Sequence, residues 1–437
     1  MNKEAATVFK RVGIVAIALS VLYAVPWGMS KYSLRRAYSA LEADGRPMRA
    51  EQIIPAPIPD VDNAAFVYKA VVQQLKAERA GEDDLLTHLS ALARDFLVET
   101  PDPDIVKQFR AIVRSEPTAN ALLTLEKGTA KSGCRYDLDY QKGAGLLLPH
   151  LSNMRSLSRI LCAKARLQAI EGDYDDAWRT IIASLRLANA LKIDPLLISQ
   201  LVRMAQFGLT VDAIHTLSTF ALPSGQQYTE LDGLLKAFDD IAPFITAMDS
   251  ERLLFGEWAF SLPPTEVSKC LFESDSALLM VGWATIFRPL LHRDHAAYLN
   301  IMRFYASNAA APYHPQDTAV SDQLINEIPR YCIFTRMLVP ALSACKGRHL
   351  LMIAQSRITR AGLAALMYRH KHDAYPADLS VLNIQDLTDP FSQNRLIYGV
   401  TPSGFTVYSI GEDLVDDGGN KGKKRRSGDI VWRYTAE

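Results

Sequence analysis

Glu412, Asp413, Asp416 and Asp417 crowd into six residues, and Gly418-Gly419 follows them. Calcium prefers several hard oxygens, and glycines let a short loop fold round an ion. Uncompensated, so many carboxylates would repel one another. Asp413, Asp416 and Asp417 are therefore candidate Ca2+ ligands, although EF-hand spacing is absent. The competing reading is a solvated acidic turn neutralised by Lys421, Lys423, Lys424, Arg425 and Arg426. That basic run reads as an exposed loop. Contact with anionic lipid headgroups is its other reading.

Other residues have chemical potential but sparse company. His292 and His295 stand three apart, a spacing that lets two imidazoles on a helix reach one metal. No third ligand and no H-E-x-x-H accompanies them, so surface or capping roles are expected. His370 and His372 end a long helical pattern, where cations suit the negative helix terminus. Glu251-Arg252 and Glu257 read as an internal ion-pair group rather than an acid–base couple. G-x-S-x-G, Walker and Rossmann signatures are all missing from the sequence.

The elements that would position these groups are mainly helical. Leu157, Ile160, Lys164, Leu167 and Ile170 follow helical spacing. Gly172-Asp173 breaks the pattern, and Tyr174, Trp178, Ile181, Leu185 and Ala188 resume it. Two amphipathic helices round a short turn make an antiparallel hairpin. The turn Gly172-Asp173-Tyr174-Asp175-Asp176-Ala177 resembles a tetratricopeptide unit, but no copy recurs at that family's period. An irregular, solenoid-like stack of helical hairpins is expected over 62–345. Asp62-Asn63 would cap its first helix. A last helix carries Leu351, Ala354, Ile358, Ala361, Ala365 and Tyr368 on one stripe. Beyond Tyr375-Pro376 the pattern changes to strands. Arg395–Val400 and Phe405–Ile410 flank Thr401-Pro402-Ser403-Gly404 as a hairpin, and 429–434 adds a closing strand.

Val12–Met29 holds no charged residue. Its length as a helix, about 27 Å, approaches the hydrocarbon thickness of a bilayer. Lys10 and Arg11 precede it, and Trp27 and Tyr32 lie near its far end, where aromatic rings favour the interface. An uncleaved single-pass anchor is expected, with 1–11 as a short flank. Residues 30–61 read as a membrane-proximal linker stiffened by Pro55, Pro57 and Pro59. A second apolar stretch, Ala277–Phe287, is too short to span and reads as a buried core helix. The chain has 48 basic and 48 acidic residues, and that balance argues against a nucleic-acid partner. Its five cysteines include no C-x-x-C, and Cys162 falls in an apolar helical pattern as a small core residue.

The end of the chain has a recognisable order: Tyr375-Pro376, Asp389-Pro390-Phe391, Tyr398, Gly404-Phe405, Tyr408-Ser409-Ile410-Gly411, Asp413, then Asp416-Asp417-Gly418-Gly419. Over about a fifth of the chain it resembles the globular module of the type II secretion major pseudopilin. There, serine-x-glycine-x-aspartate opens a calcium loop, and the resemblance puts a ligand first at Asp413. With its anchor and helical middle, the whole chain resembles membrane-anchored envelope proteins of planctomycete-type bacteria. A prepilin cleavage site would need glutamate five residues after glycine, but Gly13 is followed by Ala18.

The expected architecture is mainly α: a transmembrane helix, a helical-hairpin domain, and a small C-terminal α+β pseudopilin-like module at 346–437. The expected setting is the bacterial inner (cytoplasmic) membrane, single-pass, with the bulk of the chain periplasmic. The expected role is binding of a protein partner, or a structural one, rather than catalysis. The alternatives are a membrane-tethered hydrolase with its site in the helical domain, or an accessory component of a secretion or pilus-like machine.

Overall fold

The computed structural model describes residues 3–80, 83–263, 266, 288–339, 342, 344–422 and 427–436. The Ala277–Phe287 stretch, Cys270 and the basic run 423–426 lie outside the described residues. The fold is mainly helical, with one long apolar N-terminal helix and a small antiparallel sheet at the C-terminal end.

Helix α1 runs from Lys3 to Ala43. Its apolar part exposes Val12, Ile14, Ile17, Val21 and Leu22, and it is long and apolar enough to cross a membrane. The helix does not stop at Met29. Residues 30–43, read from sequence as linker, form further helical turns with Ser30, Ala37 and Leu41 buried. Their spacing, with Leu34 between, is an apolar stripe of helical period. Pro55–Pro59 is the extended part of that region, and it lies against the domain rather than apart from it.

The first helical layer comprises α2 (Ala64–Ala77), α3 (Leu85–Phe96), α4 (Pro103–Val113) and α5 (Glu116–Gly128). A short ribbon, β1 (Arg79–Ala80) with β2 (Asp83–Asp84), links α2 to α3. Asn63 caps α2 by accepting from Ala65 N at 3.1 Å, and Asp84 caps α3 by accepting from Thr87 N at 2.9 Å. The predicted hairpin is α6 (Pro149–Glu171) and α7 (Tyr174–Asn189). Gly172 at the turn has φ of 86°, a conformation that favours glycine. Next come α8 (Leu197–Leu217), α9 (Gly225–Lys236) and α10 (Ala242–Ser250). The π-helical turn Glu251–Gly256 joins α10 to α11 (Glu257–Ser261). Then follow α12 (Arg288–Ala310), α13 (Asp317–Glu327), α14 (Ile333–Leu338) and α15 (Cys345–His372).

The sheet has the order β3 (Ile397–Thr401), β4 (Gly404–Ser409), β5 (Ile430–Thr435), antiparallel throughout. Thr401 pairs with Gly404 across the two-residue turn Pro402-Ser403. This sheet has no core of its own. Phe405, Val407 and Trp432 share one apolar cluster with Ala361 and Leu363 of α15, Phe207 and Ile214 of α8, and Trp178 of α7. Trp432 stacks on His215 of α8 at 4.1 Å between ring centroids. A second cluster joins α2, α3, α5 and α6, and a third joins α1, α10 and α12. Cys134, Cys162, Cys332 and Cys345 are all buried in such surroundings.

Candidate functional site

Residues 411–419 leave β4 as a loop with positive φ at Gly411, Leu414, Gly418 and Gly419. The loop's carboxylates mostly accept backbone N–H groups. Asp413 accepts from Val415 N at 3.3 Å and Gly428 N at 3.1 Å. Asp416 accepts from Gly418 N at 2.9 Å and from the Tyr408 hydroxyl at 3.0 Å. Asp417 is exposed, and its own N–H donates to Asp429 at 3.4 Å. Asp429 is the buried centre of this network and also accepts from Gly419 N at 2.7 Å. Burial raises the Asp429 pKa, and those N–H groups oppose the rise. Among the described residues no three His, Cys, Asp or Glu side chains are grouped closely enough to hold a metal ion. The sequence reading overlooked Asp429; its signal is the Gly428-Asp429 turn just before β5.

Asp389, in the Asp-Pro-Phe segment, is a second buried organiser. It accepts from Phe391 N at 3.0 Å, from the Ser392 hydroxyl at 2.8 Å and from the Ser409 hydroxyl at 2.7 Å. Ser409 in turn accepts from Gly411 N at 3.1 Å, so Asp389 fixes the start of the acidic loop.

His292 and His295 do not converge on one point. His292 meets Trp27 edge-on at 5.5 Å and lies 3.4 Å from the Ser30 hydroxyl. His295 Nε2 lies 3.0 Å from Glu257, whose carboxylate also accepts from the Tyr38 hydroxyl at 2.7 Å. Arg252, almost wholly buried, stands 3.7 Å from Glu257 and 3.8 Å from Asp249. Burial pushes the Glu257 carboxyl up, but His295, Tyr38 and Arg252 together bring it below its usual value. Glu251 lacks such neighbours, and burial raises it to about 7. The π-helical turn is what directs Arg252 and Glu257 toward one another. Such turns recur at functional sites, yet these groups neutralise one another and line neither of the grooves described next.

Two open grooves of similar size mark the helical domain. One, of about 600 Å3, lies among α5, α6, α7 and α9. Most of its charges are mutually engaged: Lys164 with Glu126, Arg186 with Glu230, and Arg179 with Asp175. The other, of about 620 Å3, runs between the extended Pro57–Asp60 segment and α6. Tyr68, Tyr136, Met154 and Leu157 contribute an apolar floor. Phe66 and Leu147 stand on its rim, 53% and 81% exposed. His150 stacks on Tyr136 at 4.1 Å and lies 3.6 Å from buried Asp194. The wall is built in advance. Asn63 accepts from Arg135 N and donates to Arg135 O, both at 2.9 Å, and Arg135 Nε donates to Pro55 O at 3.0 Å.

No protein family, curated protein or solved structure matches this chain. The groove, the acidic loop and the apolar helix are therefore the features that bear on function. Of these, the apolar groove carries the most. It is concave, preformed and rimmed by two large exposed apolar side chains, the usual character of a recognition surface. Its residues come from three separate stretches of chain, near 57–73, 135–138 and 147–157, so no single run of sequence signals it.

Proposed function

We propose that this chain is a membrane-anchored envelope protein whose helical domain holds an extended, largely apolar segment of a partner protein. The proposed setting is the bacterial inner membrane, with the helical domain on the periplasmic side. The carrying observation is the groove between Pro57–Asp60 and α6, with Phe66 and Leu147 exposed over an aromatic and aliphatic floor. A side chain laid between Phe66 and Leu147 and against half-buried Tyr136 would remove apolar surface from water without displacing an ion pair. The polar groove, whose charges already satisfy one another, offers less to such a segment.

A photo-crosslinking residue at position 147 tests the reading in cells. A discrete adduct is expected, and Phe66→Glu should abolish it. An adduct indifferent to Phe66→Glu, or one equalled by a control position at Leu123 on another exposed face, would refute groove binding.

The C-terminal sheet and its loop support a second element of the proposal: a pseudopilin-like module that binds Ca2+ through Asp413, with Asp416 and Asp417 as further ligands. The supporting observation is three exposed carboxylates within five residues on a glycine-rich loop. Binding would require Asp413 and Asp416 to exchange N–H partners for the cation. Calcium should raise the melting temperature of the chain, and Asp413→Ala should remove the increase. An identical melting curve with calcium or chelator would end this part of the proposal. The order of motifs in this module also supports association with a secretion or pilus-like machine. The Glu257–His295–Tyr38 group is what a hydrolase reading would use, and its mutual neutralisation is why partner binding is preferred.

A further inference from the structure

We infer that Trp27, Lys31, Arg288 and His292 form a seat for the phosphate of an anionic phospholipid. With the helix pair above it, that seat would fix the helical domain in one orientation on the bilayer. The inference rests on the membrane-anchored reading.

The first observation is where the uncharged window ends. Trp27 lies within its last three residues, at the level an aromatic ring takes between hydrocarbon and headgroups. The second is what surrounds that ring. Lys31 Nζ lies 4.9 Å from the Trp27 ring centroid, Arg288 Cζ lies 5.9 Å from it, and His292 meets its edge. These cations come from two helices far apart in sequence. Lys31 and Arg288 are exposed, and among the described residues neither is paired with a carboxylate. Two unpaired cations over an interfacial tryptophan match a phosphate with its acyl chains below.

The third observation is the direction of the two helices. Trp27 and Ser30 meet His292 at one end, while Asp44 pairs with Arg303 at 2.6 Å at the other. Helices α1 and α12 therefore run parallel, and both rise from the level of Trp27. From Ser30 to Ala43 the stalk is about 20 Å long at 1.5 Å per residue. It is held along that length by Tyr38 to Glu257 and by the burial of Ala37 and Leu41. A tether packed in this way cannot swivel as a flexible linker would. Arg288, the first residue of α12, is consequently kept at headgroup depth.

Each basic residue at a membrane surface favours an anionic lipid about five-fold, so this pair should give about thirty-fold selectivity at one site. The full chain would be reconstituted in phosphatidylcholine vesicles containing spin-labelled lipid. The measurement is association of labelled phosphatidylglycerol relative to labelled phosphatidylcholine. Selectivity near thirty-fold is expected, falling to near one in Lys31→Gln/Arg288→Gln and kept in Lys31→Arg. Both positions are exposed, so a melting curve close to that of the unaltered chain should verify folding of the double variant. Selectivity unchanged in the double variant would overturn the inference. Displacement of the labelled lipid by inorganic phosphate would also overturn it, by indicating a free-anion site. Carbonate extraction of the whole chain from vesicles is a separate outcome, because it would remove the anchor itself and not only the seat.

Discussion

Three buried titratable groups give this chain a pH dependence whose slope can be altered one residue at a time. His349 on α15 stacks on Phe244 at 4.7 Å, and among the described residues neither of its ring nitrogens has a hydrogen-bond partner. Burial, with Arg203 nearby, lowers its pKa from 6.5 to about 3. His215 stacks on Trp432, lies 3.1 Å from the Thr359 hydroxyl, and is lowered to about 3 chiefly by burial. Each histidine stays neutral in the fold and takes up a proton on unfolding below pH 6.5. Each therefore removes stability as pH falls toward 3. Glu251 acts with the opposite sign. Its pKa is raised from 4.5 to about 7, so the stability it contributes is present in acid and is lost as pH rises from 4.5 to 7.

Between pH 7.5 and pH 4.5 each histidine costs about 2–3 kcal/mol, while Glu251 returns about the same amount. These three groups together should lower stability by about 2–3 kcal/mol over that interval. His349→Phe keeps the stacking ring and abandons no hydrogen bond, so it should remove one histidine's share and bring the net change from these groups close to zero. Glu251→Gln should double the loss, to about 5 kcal/mol. The assay is guanidinium unfolding of the full chain in nonionic detergent, followed by circular dichroism at pH 4.5, 6.0 and 7.5. Carboxylates elsewhere add a background common to all three proteins, so the differences between variants are the prediction. Equal pH slopes for His349→Phe and the unaltered chain would refute the burial argument.

Asp389→Ala should destabilise the chain by about 3 kcal/mol, because it strands the Phe391 N–H and the Ser409 hydroxyl in the interior. Chemical denaturation measures this, and a loss below about 1 kcal/mol would show that the acidic loop is organised without it. Arg252→Ala should cost about 3 kcal/mol by removing the shared cation between Asp249 and Glu257, which keep Arg46 and His295 as their other partners. Arg252→Met should cost no less if charge, rather than volume, is what Arg252 supplies.

Much of the fold is legible in the sequence because its period is regular where packing is one-sided. The α6–α7 hairpin follows from residues spaced three and four apart and from a glycine that accepts left-handed φ. The β3–β4 hairpin follows from two strand-like runs round Pro402-Ser403. The stalk at 30–43 was misjudged for a physical reason. Its one lysine and two arginines interrupt the apolar pattern, whereas Ser30, Leu34, Ala37 and Leu41 carry the packing face. Asp389 and Asp429 looked like members of a motif and of a strand start. Only three-dimensional placement turns them into buried acceptors. The apolar groove is less legible still, since concavity is a property of distant segments brought together.

The stalk gives the sharpest test of how the anchor and the domain are joined. Were 30–43 a flexible tether, deleting it with the apolar helix would leave the domain's stability unchanged. In the structure it carries buried Ala37 and Leu41, half-buried Leu34 and the Tyr38 hydroxyl bond to Glu257. Burial of those side chains amounts to about 5 kcal/mol as an upper estimate. A chain beginning at Ser30 should therefore be water-soluble and melt within a few degrees of the full chain in detergent. A chain beginning at Arg46 should melt about 6 °C lower, because it uncovers the α12 face that the stalk seals. Differential scanning calorimetry separates the two cases. Equal melting temperatures for both truncations would mean that the stalk only touches the domain, and the fixed orientation on the bilayer would lose its mechanical basis.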